Sequence, residues 1–274
     1  MSAAIFFFHR TGFIALNTLR EALRQKILGV LALLALGVVV GAQGLRDFHF
    51  GSPELKFIAD LGSGALALFG ALLAVVATAQ LFFSEIEHRT VQTLLAKPVG
   101  HAEFIFGKFL AVVVITAAFC GLITAVLMVV LWRREAAMMD QFPDAFAGGH
   151  VIDYRHLAVV GLMQWLKLSV LSALTLLVAS YANTQLFTLM TGLLIGLICH
   201  LQTLAHRGGS RVGGSVVGWA MQVLPNFQVF DVAAGTSADE TFAWAQLARV
   251  SLYALGYGAA ACALAVFSFR RREI

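Results

Sequence analysis

The chain has 274 residues, of which 59% are hydrophobic and only 12% charged, and its mean hydropathy is +0.84. Soluble domains carry about one-quarter charged residues, so this composition excludes a water-soluble enzyme or binding module. The net charge of +4 and the pI near 9.2 do not point to nucleic acid, because the basic residues sit in short segments between apolar runs, which is the pattern of membrane topology.

Residues 5–26 read as an amphipathic helix: Phe13, Leu16, Leu19, Leu23 and Ile27 share one face, while Asn17, Arg20, Glu21, Arg24 and Gln25 share the other. Such a helix lies in the membrane interface with its basic face toward anionic headgroups; the alternative is a plain extension of the first span. Four basic residues precede the first apolar run and no small-residue cleavage site follows it, which argues against a cleaved signal peptide.

A helix needs about 20 mostly apolar residues to cross the hydrocarbon. Six windows qualify, at 27–45, 57–83, 109–132, 157–180, 183–205 and 246–269. The expectation is therefore an all-α integral membrane protein, a single transmembrane domain over 1–274, since lipid offers the backbone no partners and no alternating barrel pattern is present. With six spans both termini share a side. That side carries ten Lys and Arg residues against seven on the other, which places both termini in the cytoplasm of a bacterial-type inner membrane. The triplet Arg270-Arg271-Arg272 after the last span agrees.

The segment 84–108 between the second and third spans is the most informative polar stretch. Ser84 and Glu87 have the spacing of a capping box, a helix is expected to continue through Leu95, and Pro98 ends it. A second short helix is expected near His101, feeding the third span. Such an ordered amphipathic connection exceeds what joining two spans requires, so it reads as a docking surface for a partner; the alternative is a cytoplasmic cap on the second span. On the opposite side, 133–156 reads as an acidic loop. Residues 206–240, Gly-rich and then moderately apolar, are too interrupted to span and read as a re-entrant or interfacial hairpin. The fourth and fifth spans are separated only by a turn at Tyr181-Ala182-Asn183-Thr184.

Chemical motifs are sparse. The nearest approach to a phosphate-binding loop is Gly100 to Gly107-Lys108, with six residues between the glycines and Phe109 where Ser or Thr belongs, so no nucleotide site is expected in this chain. No metallopeptidase pattern and no C-x-x-C pair occurs; Cys120, Cys199 and Cys262 each sit in an apolar run and read as packing residues, and neither a metal nor a catalytic site is expected. His200 and His206 are expected to mark the outer end of the fifth span.

Polar residues inside spans are functional candidates by default. Lys167 lies roughly 15 Å into the fourth span at 1.5 Å per residue, either buried or snorkelling toward the interface. Gln80 and Gln164 face either a dimer seam or neighbouring helices, and Asp60 is expected near water. The spacing Gly192-Leu-Leu-Ile-Gly196 permits close helix approach, within the chain or between chains.

The order of these elements resembles the type-2 ABC-transporter permease family, in which an elbow helix precedes six spans, a coupling segment joins spans two and three, and a re-entrant pair lies before the last. The wording also resembles it: Glu85-Ile-Glu87-His-Arg89-Thr90-Val-Gln-Thr-Leu94-Leu-Ala-Lys-Pro98-Val99 followed by Gly107-Lys108, then Leu224-Pro225-Asn226-Phe227 and the terminal Phe269-Arg270-Arg271-Arg272-Glu273-Ile274. The chain departs from the usual pattern at Arg89, where Gly is common, and at His101, where Arg is common. Within the family it looks most like permeases associated with maturation of multicopper enzymes or nitrous-oxide reductase; no copper substrate follows. The resemblance implies a separate cytoplasmic ATP-binding subunit carrying the ATP and Mg, docked at Glu85, Glu87, Arg89, Thr90, Leu94, Pro98 and His101, and a second permease chain. The rivals are a secondary transporter or channel without an ATPase, and a membrane scaffold for enzyme assembly.

Overall fold

The computed structural model describes residues 2–45, 54–87, 100–141, 152–207, 223–234 and 244–271. Among them the chain is helical, with α1 (Ser2–Leu23), α2 (Lys26–Gly41), α3 (Glu54–Glu87), α4 (His101–Gln141), α5 (Tyr154–Tyr181), α6 (Gln185–Arg207), the short α7 (Gln228–Ala234) and α8 (Trp244–Arg270). Six of these, α2 to α6 and α8, are long and apolar enough to cross a membrane. The protein is an all-helical, multi-pass membrane protein.

Helices α3 and α5 form the centre: 61% and 56% of their most apolar windows are buried within the chain, against 22% for α2 and α6. The peripheral helices turn Leu33, Val40, Leu186, Met190, Leu194, Leu252 and Leu264 outward. An apolar exterior over a core that includes Lys108, Glu135 and Lys167 inverts the polarity of a soluble protein and fits lipid as the surrounding solvent.

Small residues let the central helices close on one another. A β-carbon on Gly192 would meet Val75 Cγ1 at 2.9 Å and Thr175 Oγ1 at 3.0 Å, and one on Gly161 would meet the Thr124 side chain. The Gly192/Gly196 pair is therefore spent on packing α6 against α3 and α5 within the chain.

Helix α1 is distinct from the first span, because Gln25 between them is extended and α2 starts anew. Its buried residues are Thr11, Ala15, Thr18 and Ala22, a stripe of small side chains at helical spacing laid on the start of α4. Phe13, Leu16 and Leu23, the apolar face noted in the sequence, stay exposed. Helix α1 comes closest to α4 at Gly107, where a β-carbon would meet the Ile14 side chain at 2.6 Å and the Thr11 carbonyl at 3.2 Å.

Three expectations for the polar connections need correction. Ser84 is not a helix N-cap: α3 runs without a break past it, and its hydroxyl donates back to the Leu81 carbonyl at 3.4 Å. The cap belongs one element later, where Glu103 accepts a bond from the Gly100 amide at 3.0 Å, the reach-back half of a capping box. From there α4 continues unbroken for 41 residues, so the span and the expected short helix at His101 are one element, and Arg133, Arg134, Glu135 and Asp140 are helical rather than part of a loop. Continuity follows from the sequence, which has no Pro or Gly pair to break the run. Helix α5 starts on Asp153, which accepts from the Arg155 amide at 2.9 Å, and α6 starts on Thr184, which accepts from Phe187 at 3.3 Å.

Candidate functional site

Two polar assemblies stand out within the helices. The first gathers where α3 ends and α4 begins. Lys108 has 2% of its side chain exposed, and its ammonium donates to the Leu81 carbonyl of α3 at 2.6 Å, lies 3.9 Å from Glu21 of α1 and stands over the Phe104 ring. A buried ammonium requires such partners, because stripping its water is costly. Arg10 of α1 adds a second link, 3.9 Å from Glu103. Beside them Phe82, Phe104 and Phe269 form an aromatic cluster joining α3, α4 and α8, with ring centroids 5.6–6.2 Å apart. The α3–α4 connection thus emerges from three helices that are fastened to one another.

Of the docking residues expected from the sequence, Arg89, Thr90, Leu94 and Pro98 lie outside the described residues, as do the side chains of Glu85, Glu87 and His101. The backbone of Glu85 and Glu87 forms the last turn of α3, and His101 is the first residue of α4.

The second assembly lies near the middle of α5. Lys167 does not snorkel: its side chain is 7% exposed, and its ammonium donates to both carboxylate oxygens of Asp231, at 2.9 and 3.1 Å. His200 Nδ1 lies 3.5 Å from the same ammonium, and the Phe227 ring centroid 5.9 Å away. Gln164, one turn before Lys167, is buried with it. Asp231 comes from the short helix α7, whose placement is fixed by hydrogen bonds and rings. The Phe227 amide donates to the Cys199 carbonyl of α6 at 3.2 Å, and the Asn226 amide to the Tyr253 hydroxyl of α8 at 2.8 Å. Asn226 Oδ1 caps the first turn by accepting from the Gln228 amide, and Phe227 and Phe230 pack edge-on at 6.3 Å. The Gln228 side chain donates to the His200 carbonyl at 3.3 Å.

This cluster forms one end of a cavity of about 440 Å³ between α3, α5 and α6. Among the described residues its polar lining side chains are Gln164, Lys167 and His200, and the others are apolar. The volume is that of a small-molecule site. Gln80 stands elsewhere on α3, half-buried, with its carbonyl oxygen enclosed and no partner on that atom among the described residues.

Lys167 and Gln164 were legible in the sequence as intramembrane polar residues; Asp231, His200 and Phe227 were not assigned to their site. Charge accounting held a signal for Asp231, since a cation in the middle of a span requires a carboxylate nearby. The partner lies 64 positions away, beyond any local pattern.

Comparison with curated protein sequences gives no match. The family model described as ABC-2 family transporter protein matches residues 34–274, from within α2 to the end of the chain. The chain belongs to the ABC-2 transporter family.

Proposed function

We propose that this chain is the permease subunit of an ATP-binding-cassette transporter. It moves its substrate with ATP hydrolysed, with Mg, on a separate cytoplasmic subunit. That subunit docks on the connection 84–108, with Glu85, Glu87, Arg89, Thr90, Leu94, Pro98 and His101 as contacts, and two permease chains complete the transporter. Both termini then face the cytoplasm of a bacterial-type inner membrane. Helix α1 is the interfacial elbow, and α7 with the residues before it is the re-entrant segment. Family membership supports the class.

The observation that carries the site of energy input is the fastening around Lys108. At 1.5 Å per residue, α3 and α4 are about 51 and 62 Å long, against about 30 Å of hydrocarbon, so both extend beyond the membrane as levers. A push on their connection is shared with α1 through Lys108, Glu21 and the Thr11–Gly107 contact, and with α8 through Phe269. A closing ATPase dimer would then move α1, α3, α4 and α8 as one body.

The test is purification of the full chain with its native partners in mild detergent, followed by assay of vanadate-sensitive ATPase. Activity should co-purify with wild type and be lost with Glu85→Ala/Glu87→Ala while the permease stays folded. A folded permease that brings no ATPase under conditions that preserve other transporter complexes refutes the proposal. A second reading, a secondary transporter, is favoured by the buried Lys167 paired with Asp231 of the short helix α7, since intramembrane ion pairs mark transport pathways in that class. Substrate-linked ion flux in liposomes holding only this chain would establish it.

A further inference from the structure

We propose that the cavity between α3, α5 and α6 binds a single-chain amphiphile with an anionic carboxylate or phosphate head, which takes the ammonium of Lys167 from Asp231. Binding of this kind needs neither ATP nor a partner; only the step from bound ligand to transported cargo rests on the permease reading above.

The cavity wall is chemically divided. At one end Lys167, Gln164 and His200 offer an ammonium, an amide and an imidazole, and among the described residues no acidic side chain lines the cavity, Asp231 reaching Lys167 without being part of the lining. A cationic head would meet Lys167 with no carboxylate to receive it. An anionic head would accept charge-assisted bonds from the ammonium and a further bond from the amide. The rest of the wall, including Leu72, Leu171 and Leu193, suits an acyl chain. Two further leucines mark the entrance: Leu68 of α3 and Leu197 of α6 are 60% and 54% exposed on the lipid-facing surface, so a chain can enter sideways. The cavity volume of about 440 Å³ accommodates one chain with its head.

The ion pair is asymmetric in a way that permits exchange. Lys167 is 7% exposed and cannot stand alone, whereas Asp231 is 46% exposed and regains water when released. An incoming anion therefore replaces one carboxylate by another at Lys167, at little cost in buried charge. Phe227 and Phe230 keep α7 seated while the Asp231 side chain swings out.

The experiment uses the purified full chain in a neutral maltoside detergent, with dansyl-undecanoate and the matching dansyl-undecanol as fluorescent probes. The acid should bind wild type about tenfold or more tightly than the alcohol. Lys167→Met, which keeps an unbranched side chain one atom shorter and removes the charge, should abolish that preference. Asp231→Asn, which removes the competing carboxylate, should strengthen acid binding severalfold and leave the alcohol unchanged. Displacement of the acid probe by both palmitate and lysophosphatidate admits free fatty acids and phosphate-headed membrane lipids; displacement by palmitate alone restricts the site to carboxylates. Equal binding of acid and alcohol to wild type overturns the proposal without recourse to any variant. So does an acid preference that survives Lys167→Met, or displacement by neither competitor. Loss of the ATPase result would leave this binding result standing, and the reverse also holds.

Discussion

Replacing Asp231 by Asn leaves the buried ammonium of Lys167 without its carboxylate, and the stability cost can be worked from the geometry. At the observed 2.9 Å the attraction is about 6 kcal/mol for an effective dielectric of 20 and about 1.4 kcal/mol in water. Breaking a fully buried pair costs about 3–5 kcal/mol and losing an exposed one under about 1 kcal/mol. Here the cation is buried and the carboxylate half exposed, so a loss of about 2 kcal/mol is expected. Lys167→Met removes the charge together with its desolvation cost and should lie within about 1 kcal/mol of wild type. In the Lys167→Met background, Asp231→Asn should then cost no more than about 0.5 kcal/mol, a coupling near 1.5 kcal/mol. Reversible unfolding in mixed maltoside and dodecyl sulfate micelles, followed by helical circular dichroism, measures all four proteins. Equal cost of Asp231→Asn in both backgrounds would refute the ion pair as a source of stability.

Other substitutions test the remaining assemblies. Lys108→Met removes a charged hydrogen bond and should cost about 2 kcal/mol; loosening of α1 should also speed trypsin cleavage after the exposed Arg20 and Arg24 severalfold, and unchanged cleavage would remove Lys108 as the fastening of α1. Glu135 accepts bonds from the Tyr154 hydroxyl at 2.6 Å and the Ile152 amide at 3.2 Å, so Glu135→Ala should lower unfolding free energy by about 2–3 kcal/mol and Tyr154→Phe by about 1 kcal/mol. Gly192→Ala forces a methyl against Val75 and Thr175 and should cost about 1–3 kcal/mol, whereas Gly256→Ala, with open space at the new methyl, should stabilise by about 0.5–1 kcal/mol in the same assay.

How much of the site could be read in advance depends on the range of the interaction that makes it. Lys167 and Gln164 were visible because charge and amide groups are rare inside apolar runs, and Gly107-Lys108 because it formed part of a family pattern. Ser84 and Glu87 have the capping-box spacing but sit inside a helix that has not ended, whereas the cap forms at Gly100 and Glu103, which have the same spacing. Spacing alone cannot separate the two, because a cap acts only where the backbone leaves amides unpaired.

The sequence by itself determined the solvent, the all-helical class and the six apolar helices, because hydropathy is a sum over neighbours in the chain and lipid leaves the backbone no other means of satisfying its polar groups. The tertiary structure alone decided which face of α1 is buried: Thr11, Ala15 and Thr18 are buried where α1 packs on α4, while Phe13, Leu16 and Leu23 stay exposed. It decided that Gly192 packs within the chain, and that Lys167 meets Asp231 across 64 positions. Those outcomes depend on which helices become neighbours, and that is set by the packing of the whole bundle rather than by any local stretch of sequence.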